Sequence, residues 1–228
     1  MTRHVLPGNP PVEVLLRRSA RARRISLRVS SIDGKVTLTC PKGVREAEAL
    51  GFAEEKAEWL RANLSKRPEE VIVGLGVEVP IRGAMVRVVA GTGRAVTLRE
   101  GEVAVPGQPE RAGARLLGFL KELARARLAE ASDRYSTALG RDYTRLTLRD
   151  TRSRWGSCSS EGGLMYSWRL IMAPDSVLDY VAAHEVAHLS EMNHSSRFWA
   201  EVERLYGDHS APRQWLKAHG SSLHRHKF

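Results

Sequence analysis

Two histidines and a glutamate in the pattern His184-Glu185-Val186-Ala187-His188 have the types and spacing of a metal-dependent hydrolase site. Residues four apart on a helix lie on the same face, so His184 and His188 can bind one metal ion through their imidazole nitrogens. The carboxylate of Glu185 is then placed to accept a proton from a water on that metal. The spacing therefore predicts two metal ligands and a general base.

The residues around this pattern place it on the buried side of its helix. Val177 and Val181 fall on the stripe of the two histidines, and Ala182 and Leu189 lie beside Glu185. Burying a carboxylate and two imidazoles without partners is costly, and a bound metal with its water would remove that cost. The alternative is a pair of hydrogen-bonded core histidines, which would require a separate buried partner for the glutamate.

A zinc hydrolase needs a third protein ligand and one open coordination position. His194 follows His188 by six residues, which is the offset of the third ligand in the metzincin pattern. This chain has Glu191 where that pattern has glycine, and no methionine follows His194 to form a Met-turn. The alternatives are Glu201, which is placed like the glutamate ligand of other zincins, and His209.

The segment between the second and third histidines must turn sharply if both are to reach one ion. Asn193 tolerates left-handed backbone geometry better than most residues and is expected to make this turn. Ser195 and Ser196 are expected to cap the helix that follows. These residues predict a tight turn directly after the metal-binding helix.

Hydrophobic periodicity indicates an α+β chain in which a β-rich N-terminal half, 1–106, precedes an α+β half, 107–228, that carries the histidine pattern. Asp33-Gly34 between two alternating runs indicates a hairpin, and Gly140 is expected just past a long helix. The expected elements in chain order are strands at 13–40, a helix at 44–64, strands at 71–106, a helix at 111–139, a β stretch at 146–170, and helices at 175–192, 196–206 and 211–219.

Short motifs elsewhere in the chain accompany the histidine pattern. They are Arg154-Trp-Gly-Ser-Cys-Ser159, Ser167-Trp-Arg-Leu170, Asp179-Tyr180, Asn193-His194 and Phe198-Trp199. With them the chain resembles the bacterial YgjP-like metallopeptidase family, which is related to the SprT/Spartan and WLM zincin proteases. The resemblance extends over residues 17–226 as one domain. It implies a zincin-like architecture in which helices pack on a small sheet.

The resemblance also implies roles for individual residues. It makes His184, His188 and His194 the metal ligands and Glu185 the general base. The segment 154–158 is expected to be a strand beside the metal cleft, where an extended peptide can bind by strand addition. The candidates for an oxyanion donor or a substrate contact, each equally suited to a surface or packing role, are Arg154, Tyr166 and Arg169.

The composition adds a basic surface to this picture. The 228 residues include 36 Lys and Arg against 26 Asp and Glu, which gives a formal charge of +10. Such a balance favours polyanionic partners, nucleic acid or nucleotides among them. The candidate polyanion contacts are Arg17, Arg18, Arg21, Arg23 and Arg24. The alternative is a solvated hairpin arm, because no aromatic residues are interleaved for base stacking.

The sequence also indicates a compartment. Its apolar runs are far shorter than the roughly 18 residues of a membrane helix, and its first residues lack the apolar region of a secretory signal. Cys40 and Cys158 are too far apart and too few to form a disulfide framework. These features predict a cytoplasmic protein without membrane contact, and they predict no particular oligomeric state.

Three functions compete at this stage. The first is a zinc-dependent peptidase that cleaves proteins or peptides, including proteins held on nucleic acid. The second is a metal-dependent nucleotide phosphohydrolase, a pyrophosphatase that uses the same site and holds phosphates with arginine. The third and weakest is a nucleic-acid-binding module with a structural metal, because structural zinc normally has a fourth protein ligand. Three imidazoles suit one Zn²⁺ per chain, and they also suit Ni²⁺, Co²⁺ or Fe²⁺.

Overall fold

The computed structural model describes residues 1–30, 32–65 and 69–228. The chain divides into two compact units, Met1–Glu69 and Glu70–Phe228. The division therefore lies after residue 69, whereas the sequence suggested Pro106-Gly107. The reason is that the strands following Glu70 share one hydrophobic core with the long helix beyond Pro106, so no change of core occurs there.

The N-terminal unit is a four-stranded sheet with two helices. The sheet has the order β1-β2-β4-β3, in which β2 and β4 are parallel and the other pairs are antiparallel. Its core joins residues of β1, β2 and β4 to both helices. The elements are β1 (Thr2–Leu6), β2 (Val12–Ser19), β3 (Ser26–Val29), β4 (Val36–Pro41), α1 (Glu46–Glu55) and α2 (Ala57–Ser65).

The predicted hairpin is confirmed, and the predicted helix after it is interrupted. Val29 of β3 pairs with Val36 of β4, and Gly34 turns the chain with φ 68°. The single helix expected over 44–64 is divided at Lys56, whose φ −98° and ψ 9° leave helical geometry. The bend lets the buried residues of both α1 and α2 reach the same core.

The first part of the second unit is a four-stranded sheet packed against a long helix. The sheet has the order β6-β7-β9-β8, with β7 and β9 parallel. The helix begins and ends as predicted, and Gly140 terminates it in the left-handed conformation with φ 72°. The elements are β5 (Val71–Ile72), β6 (Glu78–Ile81), β7 (Ala84–Gly91), β8 (Thr97–Arg99), β9 (Glu102–Pro106) and α3 (Ala112–Leu139).

The rest of this unit is a three-stranded sheet followed by three helices. The sheet has the order β10-β12-β11, so β11 is an edge strand. The predicted β stretch ends at Ser167, because Trp168–Met172 forms a 3-10 helix. The elements are β10 (Arg145–Arg149), β11 (Gly156–Cys158), β12 (Gly163–Ser167), α4 (Asp175–Ala187), α5 (Ser196–Tyr206), α6 (Ser210–His219) and β13 (His226–Lys227).

The α+β class expected from the sequence is confirmed by this mixture of six α-helices and small sheets in the described residues. In the described part of the chain, no helix combines the length and the apolar composition that a bilayer crossing requires. A further 3-10 helix, Gly220–Arg225, follows α6 and leads to β13, which pairs in parallel with β5.

Candidate metal centre

The helix α4 carries the first histidine and the glutamate on a buried face. It begins after Pro174, and Asp175 in its first turn accepts a bond of 3.0 Å from the Arg82 guanidinium. A carboxylate in the first turn also stabilises the positive end of the helix dipole. Val177 and Val181 are nearly inaccessible, so the stripe predicted from the sequence does lie in the core.

The end of α4 determines where the second histidine lies. The sequence suggested a helix to Met192, but α4 ends at Ala187 and His188 is its C-cap residue. The backbone N–H groups of Ser190 and Glu191 both donate to the Ala187 carbonyl at 3.1 Å, which tightens the last turn. The expected helical continuation was wrong because the N–H groups of Leu189 and Ser190 bond to the carbonyls three residues earlier, Val186 and Ala187, rather than four.

The chain then reverses direction without the left-handed residue that was expected. Among the described non-glycine residues, Arg82 alone has a positive φ, so the proposal for Asn193 was wrong. Instead, the Ser195 N–H donates to the Asn193 carbonyl at 2.7 Å, which closes a narrow turn. The Ser195 hydroxyl accepts a bond of 3.4 Å from the Phe198 N–H and caps α5, whereas Ser196 is already helical.

This turn brings three imidazoles together. One nitrogen from each of His184, His188 and His194 lies within 4.8 Å of the other two. The Nε2 atoms of His184 and His194 are 3.1 Å apart. Two nitrogens on a tetrahedral zinc ion are about 3.4 Å apart, given a bond length of about 2.1 Å. The donor set and its spacing therefore fit one zinc ion with one coordination position left open.

The orientation of His188 is fixed by a hydrogen bond outside the cluster. Its Nδ1 atom is 3.0 Å from the Glu191 carbonyl oxygen. A carbonyl only accepts, so Nδ1 carries the proton and Nε2 keeps its lone pair for a metal. The bond uses the backbone of Glu191, which is the position that glycine occupies in the metzincin pattern.

A buried aromatic ring supports all three histidines. Phe198 is inaccessible to solvent, and its ring centroid lies 4.4 Å from that of His188, 4.8 Å from His194 and 4.9 Å from His184. The sequence motif Phe198-Trp199 was noticed, but its role as the packing surface behind the imidazoles was not predicted.

Burial shifts the pKa values of the two helical histidines downward and that of the glutamate upward. Burial, with its two neighbouring histidines, lowers the pKa of His184 to about 3, and burial also lowers the pKa of His188. Neutral imidazole is the form that binds metal. Burial raises the pKa of Glu185 to about 8, against the opposing effect of Arg154. A bound cation would lower that pKa again.

The cluster opens into a cavity of about 400 Å³. The edge strand β11 forms one side of it and α4 forms another. Its lining residues are Arg154, Trp155, Gly156, Ser157, Cys158, Tyr180, Val181, His184, Glu185, His188, Met192, His194 and Leu216. Burial and the nearby Glu185 raise the pKa of the Cys158 thiol to about 11, so this thiol is neutral.

Gly156 allows β11 to approach the glutamate closely. A Cβ atom at this position would lie 2.5 Å from Cγ and 2.6 Å from Oε1 of Glu185. These separations are far shorter than a van der Waals contact, so a side chain here would displace the carboxylate. The sequence motif included this glycine, but its close approach to Glu185 was not predicted.

Comparison with known proteins agrees with this geometry. The family model described as YgjP-like, metallopeptidase domain, matches residues 23–219. The chain belongs to the YgjP-like family. Its members are metal-dependent hydrolases, so the enzyme class expected from the sequence is confirmed, whereas the nucleotide alternative finds no support there.

One solved structure is similar over part of the chain. It is the metallopeptidase zymogen of Pyrococcus abyssi abylysin, at 20% identity and a TM-score of 0.37, and the match covers 44% of this chain and 99% of that one. No curated protein matches the chain.

Two of the three candidate substrate contacts of this YgjP-like protein lie outside the cavity. Tyr166 is fully buried, and its hydroxyl is 3.1 Å from the Ser132 hydroxyl. Arg169 is 6% exposed and forms an ion pair of 2.7 Å with Asp150. Both expectations were wrong because these side chains point into the protein, and only Arg154 of the three lines the cavity.

The alternative third ligands are engaged elsewhere. Glu201 accepts a bond of 2.9 Å from Arg204 on the same helix. The ring of His209 stacks between Tyr180, at 5.7 Å and 4°, and Trp199, at 5.2 Å and 11°. Over residues 1–30, 32–65 and 69–228, the one group of metal-capable side chains is the three-histidine cluster.

The candidate polyanion contacts all lie in the N-terminal unit. Arg17 and Arg18 are at the end of β2, and Arg21, Arg23 and Arg24 are in the turn that follows. All five are exposed. The Arg18 guanidinium donates to the carbonyls of Lys42 and Val44, at 3.2 and 2.6 Å, so it also fixes the end of β4.

Proposed function

We propose that this chain is a zinc-dependent peptidase whose site is built from His184, His188, His194 and Glu185. The observation that supports it is the convergence of three imidazoles beside a buried carboxylate, at the wall of a cavity flanked by an edge strand. The family match supports the same reaction class. Both cysteines are free, which suits a reducing compartment.

The roles of the residues follow from their environments. When bound, zinc supplies a Lewis acid that activates water and polarises a carbonyl group. His184, His188 and His194 would hold the ion through one nitrogen each. A bound cation would lower the pKa of the buried Glu185 carboxyl group, so that Glu185 could accept the proton of the attacking water and then donate it to the leaving amine.

The edge strand provides a means of holding an extended peptide. One side of β11 pairs with β12, and its other side has no strand partner in the described chain. A substrate strand added there would receive backbone hydrogen bonds from residues that line the cavity. Arg154, at the start of this segment, is placed to contact a substrate carbonyl or carboxylate.

The lining of the cavity favours peptide over nucleotide. Among the described residues that line it, Arg154 is the single cationic side chain. A triphosphate site normally combines several cationic or backbone donors. The apolar residues of this cavity suit a peptide side chain, and they offer no such set of donors to phosphates.

Metal content and hydrolysis together test this proposal. Wild-type protein and the Glu185→Gln variant should each hold about one zinc per chain by elemental mass spectrometry, and His194→Ala should lose most of it. Of these three proteins, only the wild type should cleave casein. The matched control is Glu203→Gln, an exposed carboxylate on α5, which should keep both properties.

Three results would contradict the proposal. Full zinc content in His194→Ala would show that the third ligand is a different residue. Casein cleavage by Glu185→Gln would show that the glutamate is not needed for the reaction. Phosphate release from nucleoside triphosphates by zinc-loaded protein, without casein cleavage, would replace the peptidase with a phosphohydrolase.

A further inference from the structure

One wall of the cavity is apolar. Trp155 precedes β11, Val181 lies on α4 one turn before the glutamate, and Leu216 is on α6. Val181 is 4% exposed, so it forms the floor rather than the rim. These three side chains line the same cavity as the histidines, which places an apolar surface beside the reacting centre.

The surface beyond the C-terminal end of β11 is polar. A second cavity of about 420 Å³ shares His188 and Met192 with the first. Its other lining residues are Arg141, Asp142, Thr144, Ser159, Ser160, Glu161, Gly162 and Leu189. A peptide bound along β11 would therefore meet apolar side chains near the start of the strand and mainly polar ones beyond its end.

The indole of Trp155 packs against the C-terminal segment, residues 220–226. A Cβ atom at Gly220 would lie 2.8 Å from Cζ2 of Trp155, and the His224 ring centroid is 5.5 Å from the indole. The Trp155 carbonyl also accepts a bond of 2.8 Å from the Ser167 N–H. The tryptophan is thus held between the cavity and a packed backbone.

The segment itself is anchored by a buried arginine. The Arg169 guanidinium donates to the carbonyls of Leu223, at 2.8 Å, and His226, at 3.1 Å, while Asp150 neutralises its charge. The side chain that was expected to contact substrate instead holds the backbone on which Trp155 rests. Its contribution to the cavity is therefore indirect.

We propose that Trp155, Val181 and Leu216 form a subsite for a bulky apolar side chain next to the scissile bond, and that glycine at 220 sets its depth. The inference rests on the proposed peptidase function. It assigns the substrate class as peptides with an aromatic or long aliphatic residue on one side of the cleaved bond and a polar residue on the other.

Peptide binding tests the subsite without requiring turnover. The probes are two fluorescein-labelled octapeptides of Gly, Ala and Ser that differ only by one central Phe or Ala. Zinc-loaded Glu185→Gln protein should bind the Phe peptide about 10- to 100-fold more tightly, which is the usual discrimination of an apolar pocket. In wild type, the ratio of kcat/KM for the two peptides should show the same preference.

Two variants test the walls of the subsite. Leu216→Ala should reduce the preference for Phe, because it removes one wall. Gly220→Ala should also reduce it, since ordinary contact begins at 3.4 Å and the indole must move by about 0.6 Å away from the new methyl group. Gly118→Ala is the matched control, because a Cβ there meets no atom within 4 Å in the described chain. It should leave the preference unchanged.

The outcomes separate the subsite from the peptidase. Equal binding of both peptides, or a preference that Leu216→Ala and Gly220→Ala leave intact, would overturn the subsite. Cleavage of peptides without regard to apolar residues would overturn it as well, while the peptidase would stand. Tighter binding of the Phe peptide that is lost in both variants would support the subsite, even if the wild type cleaves neither peptide. The absence of cleavage would then contradict only the proposed peptidase function.

Discussion

Replacing Phe198 with alanine should weaken both the fold and the metal site, by different amounts that can be measured separately. The ring is inaccessible to solvent and packs against all three histidines. Phe→Ala at a fully buried position removes about 3–5 kcal/mol from the free energy of unfolding, because apolar burial is lost and a cavity remains. In addition, residues that orient metal ligands typically contribute 10- to 100-fold to metal affinity.

Two assays separate these effects. Urea unfolding of the zinc-free protein in EDTA, followed by tryptophan fluorescence, should give the loss of about 3–5 kcal/mol. Competition with a fluorescent chelator should give a zinc affinity at least about 10-fold below wild type. Phe198→Leu, which keeps most of the volume, should show smaller changes in both.

Val202→Ala is the control for a purely structural effect. Val202 is also fully buried on α5, one helical turn beyond Phe198. Its truncation should lower stability by about 1–2 kcal/mol while zinc affinity stays near wild type. The reasoning would be refuted if Phe198→Ala and Val202→Ala had the same zinc affinity, since the three rings would then be held without the aromatic packing.

Two further predictions concern side chains away from the cavity. Tyr166→Phe should lower the free energy of unfolding by about 1 kcal/mol, through loss of the hydrogen bond to Ser132. It should leave kcat/KM on casein unchanged, and a large fall in kcat would show that this hydroxyl takes part in the reaction. Burial lowers the pKa of His224 and His226 to about 4. The unfolded chain therefore binds more protons than the folded chain between about pH 6.5 and 4. Urea unfolding at pH 7, 6 and 5 should show that the free energy of unfolding decreases as the pH is lowered, by about 2 kcal/mol per pH unit more than in a variant with glutamine at both positions. An equal pH dependence of stability in the two proteins would show that these rings are not held neutral.

The sequence predicted best what depends on neighbours along the chain. The long helix with its terminating glycine and the serine cap of α5 follow from local patterns, and the structure has both. The end of α4 could not be read in this way. Its apolar periodicity continues to Leu189, whereas the three-residue bonds from Leu189 to Val186 and from Ser190 to Ala187 end the helix two residues earlier.

The residues whose roles were mistaken depend on distant partners. Arg169 has a side chain suited to substrate binding, but its acceptors are 19 and more residues away in the sequence. Tyr166 shares its buried strand face with Leu164, and this alternation was available as a sign that its hydroxyl points inward. The sequence therefore identified side chains that can form hydrogen bonds, but it did not predict that both point into the protein rather than into the cavity.

The glycine in β11 makes two distant parts of the chain depend on each other. A side chain at position 156 and a carboxylate in its present place at position 185 exclude one another, because they would occupy the same space. Neither residue contacts the three imidazoles through a bond described above, so such a change leaves the ligand set itself intact. If Glu185 acts as proposed, a related chain with a residue larger than glycine at this position is expected to retain metal binding and to lose hydrolysis.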